Sequence, residues 1–115
     1  MTSPTAKKLF VLGIDGMDPK LTNKYINMGL MPNTQAFIQR GSARADLRML
    51  GAHPTVTPPM WTTLATGTYP VTHGISGFSR RVADDLAAFS YNLDSRYCQA
   101  EPLWNVTAAA GLKTL

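Results

Sequence analysis

Residues 9–14, Leu-Phe-Val-Leu-Gly-Ile, form a continuous apolar run that stops at Asp15-Gly16. A strand apolar at every position is one covered on both faces, as in the parallel sheet of an α/β protein. Ligands of such sheets collect outside the carboxyl ends of the strands, and Asp15 stands at that end. With 115 residues, 44% of them apolar and 16% charged, the chain can build one modest core. That limits it to one domain, or part of one.

Local signals place the helices. Asp18-Pro19 opens a helix over residues 20–28, with Asp18 as cap and Pro19 at the first helical position, and Gly29 ends it. A second, short helix follows Leu30-Met31-Pro32, with Asn33 as cap and Gly41 as stop. Residues 43–49 alternate Ala, Ala, Leu and Met with Arg44, Asp46 and Arg48, the period of a strand with one wet face. Pro58-Pro59 leads into a helix ending at Thr66-Gly67, because proline is tolerated in a first helical turn. Residues 73–81 read as irregular and the stretch after them as connecting chain. Pro102 opens a last helix stopped by Gly111, and residues 112–115 begin another strand. An end in mid-strand is the mark of a truncated chain. Residues 1–7 are small, polar or basic and read as a disordered lead-in, leaving 8–115 as the folded portion.

Thr57 falls where the third helix begins. A threonine hydroxyl attacks phosphorus only after a base or a metal has activated it. The free N–H groups and positive dipole end of a helix N-terminus favour both the alkoxide and an incoming phosphate. A carboxylate at a strand end can hold a divalent ion against that hydroxyl, and paired ions stabilise the attacking and leaving oxygens of an in-line displacement. Asp15 and Thr57 make sense as partners in such chemistry. Taken singly, Asp15 would cap a tight turn and Thr57 a helix, both common uses of these residues. The conjunction carries the weight: strand-Asp-Gly, then Thr-x-Thr-Pro-Pro, then Thr-Gly-x-Tyr-Pro and His-Gly-Ile at residues 73–75.

That set, residues 11–17, Met31-Pro32-Asn33-Thr34 and residues 54–75, resembles the N-terminal part of the type I phosphodiesterase/nucleotide pyrophosphatase group of the alkaline phosphatase superfamily. Residues 102–111 resemble the group's next helix. The resemblance implies an α/β fold, here the N-terminal portion of an alkaline-phosphatase-like sheet flanked by helices on both faces. It also implies phosphate-ester hydrolysis through a phosphothreonine intermediate, with two divalent ions, commonly zinc. Carried over by position, Asp15 is a metal ligand and Thr57 is both nucleophile and ligand. The group's nucleotide pyrophosphatase members place an Asn after His-Gly-Ile where this chain has Phe78. Their remaining ligands come from Asp-x-x-x-His and Asp-His pairs, and neither pair occurs in this sequence. A haloacid-dehalogenase-like mechanism with Asp15 as nucleophile needs a second Asp at the place of Met17.

The alternative is a non-catalytic fragment that binds anions or packs on a partner through an exposed sheet edge, where self-association is expected. The net charge of +4 is dispersed rather than gathered into a basic stripe with interleaved aromatics, so nucleic acid is not an expected partner. A small phosphate ester is. Cys98 is the single cysteine and packs; no run is long enough for a membrane span, and cytoplasmic residence is the expectation. His53 reads as a solvent-facing loop residue and His73 as a structural hydrogen-bonding one. Asp84, Asp85 and Asp94 read as solvated charges, Asn105-Val106-Thr107 as a chance triplet, and Trp61 and Trp104 as core.

Overall fold

The structure, a computed structural model, describes residues 8–49, 51 and 53–114, without the side chain of Leu86. The expected lead-in 1–7 lies outside the described residues. The chain divides between residues 49 and 50 into two units. Among the described residues it is a mixed helix-and-strand protein of five α-helices, one short 3-10 turn and a two-stranded sheet.

In the first unit, α1 (Pro19–Asn27) starts as its residues dictate. Asp18 accepts from the Leu21 N–H at 2.7 Å, Pro19 fills a position whose N–H needs no partner, and Gly29 takes the left-handed conformation (φ 73°) past the last turn. Thr22, the buried residue of α1, returns its hydroxyl to the Asp18 carbonyl at 2.7 Å. Replacing the cap, Asp18→Ala, is expected to destabilise this unit by about 1 kcal/mol. Chemical denaturation followed by circular dichroism measures it. Helix α2 (Pro32–Gln39) differs from expectation by one step: Met31, not Asn33, is the cap residue, because Pro32 is the first helical residue.

Neither strand expected in this unit forms. Residues 9–14 take no regular structure, and Leu9 and Phe10 are 75% and 85% exposed. A strand exists only through its neighbours' hydrogen bonds, and no described residue pairs with this segment. Residues 43–49 turn instead of extending. The Asp46 carboxylate accepts from Arg44 Nε (3.0 Å), Arg44 Nη2 (3.1 Å) and the Arg48 N–H (3.1 Å). Leu47 then adopts φ 53°. The charges that alternation assigned to a wet face therefore gather around one carboxylate, and the Arg44 hydrogen bond holds Asp46 down at about 2.

The second unit carries α3 (Thr57–Thr66), α4 (Pro70–His73), β1 (Ser79–Val82), β2 (Asp85–Tyr91), the 3-10 turn Ser95–Tyr97 and α5 (Leu103–Ala109). Helix α3 stops at Gly67 (φ 67°), as its sequence requires. Strands β1 and β2 pair antiparallel around an Ala83-Asp84 turn, in the stretch expected to be irregular. Ser79 faces Tyr91, Arg80 faces Ser90 and Arg81 faces Phe89. Among the described residues the sheet is thus an antiparallel hairpin of two strands, and no parallel pair occurs among them.

Buried Asn92 closes the hairpin's base. Its amide donates to the Gly77 and Ser79 carbonyls at 3.1 and 3.3 Å, and its N–H to the Phe78 carbonyl at 2.7 Å. Helix α5 ends at Gly111 (φ 75°), but residues 112–114 fold back rather than extend: the Leu112 N–H reaches the Thr107 carbonyl, and the Thr107 and Thr114 hydroxyls meet at 2.9 Å. Pro59, His73, Ile75 and Asn92 are the buried residues among those described in this unit. Trp61 and Trp104, expected in a core, are 38% and 52% exposed because no element among the described residues covers them fully. No helix among the described residues is long and apolar enough to cross a membrane.

Candidate active site

Thr57 is the first residue of α3 and is exposed; Val56, in extended conformation, holds the cap position without a side-chain bond. Thr57 is therefore not the helix cap, the ordinary use of a threonine at such a place. Its neighbours impose an unforeseen limit. Pro58 and Pro59 have no N–H, and the Met60 N–H is taken by the Val56 carbonyl at 3.2 Å. Of the first three helical positions, only Thr57 carries a backbone N–H. The cradle of several amides expected at a helix start is reduced here to one, and the dipole is what the helix adds. This was visible in the sequence, since proline at two successive positions removes two donors by its covalent structure.

The other α3 hydroxyls have fixed roles. Thr62 and Thr66 donate back to the Pro58 and Thr62 carbonyls, each at 2.7 Å, one helical turn earlier. Thr63 Oγ1 lies 3.1 Å from His73 Nε2. His73 ends α4 and has no exposed surface. Its Nδ1 accepts the Ile75 N–H at 3.1 Å, which puts the proton of the neutral ring on Nε2, toward Thr63 and the Pro59 carbonyl. Burial lowers the pKa of His73 below that of a free histidine. The His73 carbonyl in turn accepts the Gln99 N–H at 3.0 Å. One ring thus ties α3 to the turn beginning at Gly74, the structural bonding expected of it.

Asp15 lies in the first unit, exposed, in a turn completed by Gly16 at φ 68°. Thr57 lies in the second unit. His53 is exposed. Asp84 and Asp85 are exposed, Asp85 accepting from the Ala87 N–H at 2.9 Å, and Asp94 is half-buried and paired with Arg96. Asn105 is exposed on α5 and Cys98 is half-buried, its thiol 3.3 Å from the Ala100 carbonyl. No group of three His, Cys, Asp or Glu side chains that could hold a metal ion occurs among the described residues. The described residues therefore do not make a closed metal centre by themselves.

The helix that opens at Thr57 is thus clamped by the histidine of a His-Gly-Ile turn. The chain matches the type I phosphodiesterase / nucleotide pyrophosphatase family over residues 9–115 and belongs to it. No curated protein and no solved structure matches it significantly. Membership points to activity of the phosphodiesterase or pyrophosphatase type.

Proposed function

We propose that the chain supplies the nucleophile half of a phosphate-ester hydrolase, with Thr57 as the attacking group. What supports this most is the place of Thr57: exposed, first in α3 and at the helix's positive end. In the proposed reaction the Thr57 oxygen forms a bond to phosphorus while the bond to the leaving alcohol breaks. The hydroxyl proton passes to solvent, and the leaving oxygen takes one from it. Water then attacks the phosphothreonine, restoring the hydroxyl and releasing the phosphate product. The fold proposed for the complete enzyme is alkaline-phosphatase-like, with residues 9–14 as a strand once neighbours exist to pair with it.

Two divalent ions, zinc by resemblance, belong to this proposal, and when bound they would supply charge neutralisation at the phosphoryl oxygens. Asp15 and Thr57 are the oxygen donors assigned to this chain, and other donors have to come from outside the described residues. The substrate is a small phosphate ester and the location cytoplasmic. The test is to quench turnover of a labelled phosphodiester with acid. An acid-stable label on the peptide bearing Thr57 is expected, whereas a label on Asp15 would assign the chemistry to an acyl phosphate.

A second role, packing on a partner or a second copy, is favoured by one observation. Leu9, Phe10 and Leu12 are 75%, 85% and 70% exposed in sequence, and each hairpin strand has an unpaired outer edge among the described residues.

A further inference from the structure

The hairpin carries two consecutive arginines, and strand alternation sends them to opposite faces. Arg81 lies on the open face with Phe89, its guanidinium 5.0 Å from that ring's centre. Arg80 lies on the more covered face, half-buried, with its guanidinium carbon 3.8 Å above the centre of the Tyr97 ring. This contact joins β1 to the 3-10 turn. It also fixes the plane of the cation, because a guanidinium stacked on an aromatic face can donate only along its rim.

The rim of Arg80 is not used. Its Nε is sealed from solvent and has no hydrogen-bond partner, and no carboxylate among the described residues pairs with the side chain. The acidic residue nearest Tyr97 in sequence, Asp94, is held instead by Arg96, whose Nε lies 2.9 Å from Asp94 Oδ2; this hydrogen bond keeps the carboxylate at about 2. An always-charged group that has lost water on one flank without gaining an acceptor is costly in isolation, and that cost is relieved by an anion. We propose that Arg80, on its Tyr97 platform, is the binding residue for an oxyanion, a phosphoryl or carboxylate group of a small ligand, which approaches through the part of the side chain still accessible. The under-solvated cation attracts such a group more strongly than a hydrated surface arginine, and with Nε sealed the donors left to meet its oxygens are the Nη groups. The assignment does not rest on the hydrolase proposal.

The experiment titrates the purified chain at constant ionic strength with inorganic phosphate and, separately, with acetate. It follows the Arg80 Nε–H resonance by NMR. Saturable millimolar binding with a shift of that resonance is expected. Saturation by phosphate alone assigns a phosphoryl ligand, by acetate alone a carboxylate, and by both a general oxyanion site. Arg80→Lys keeps the charge but not the planar fork, and should weaken binding by about tenfold or more. Tyr97→Leu removes the platform and should do the same, while Tyr97→Phe keeps it and should bind as wild type. Shifts that rise without saturation, or an Arg80→Lys chain that binds as tightly as wild type, overturn the proposal.

Discussion

Thr57→Ala is expected to lower hydrolysis of a nitrophenyl phosphodiester by the full-length gene product by about a thousandfold or more, the scale at which removing a covalent nucleophile registers. The fold should survive. Thr57 is exposed, is not the cap residue of α3, and precedes two prolines whose rings set the start of the helix regardless of its side chain. Alanine is also the best helix former, so the melting temperature should hardly move. Thr57→Ser keeps the hydroxyl and should retain measurable turnover, with the label now found on serine. Because Pro58 and Pro59 leave a single backbone N–H in the first three positions, little residual transition-state binding should come from helix amides once the hydroxyl is gone. Wild-type rates in Thr57→Ala with zinc supplied would remove Thr57 from the mechanism.

Features set by covalent structure within a few residues were legible before folding. Asp18-Pro19 and Gly29 bracket α1, Pro58-Pro59 and Gly67 bracket α3, and Pro102 and Gly111 bracket α5, because a capping carboxylate, a locked φ and a left-handed glycine act locally. Strands obey a different rule, since their hydrogen bonds lie with residues elsewhere. The run at 9–14 has the composition of a buried strand but no described neighbour, while residues 79–91, which lack such a pattern, pair because the Ala83-Asp84 turn brings them together. At 43–49 a local competitor won: one carboxylate collected three donors and turned the chain.

The candidate site divides in the same way. The start of α3 at Thr57 follows from the prolines, and the bonding of His73 was expected in kind. Its partners were not, because Thr63 lies ten residues earlier and meets the ring only after α3 and α4 have packed. Arg80 and Tyr97 are separated by the whole hairpin, so no spacing in the sequence announces their stack.

His73 is where the largest stability effect is expected, and its sign with pH follows from the bonds. The neutral ring accepts at Nδ1 and donates at Nε2; a second proton would set an N–H against the Ile75 N–H that now points at it. The folded chain therefore resists protonation, consistent with a pKa held below 6.5 by burial. Between that lowered value and 6.5 the unfolded chain binds a proton that the folded chain does not, so stability is complete above 6.5 and falls as pH drops through the window. His73→Ala leaves the Ile75 N–H without its acceptor and opens a cavity beside Pro59 and Thr63, at an expected cost of about 2–4 kcal/mol. His73→Gln keeps an amide that can accept but not titrate, and should flatten the dependence of the urea midpoint between about pH 5 and pH 7.5. If His73→Gln tracks wild type across that range, the clamp assigned to His73 is wrong.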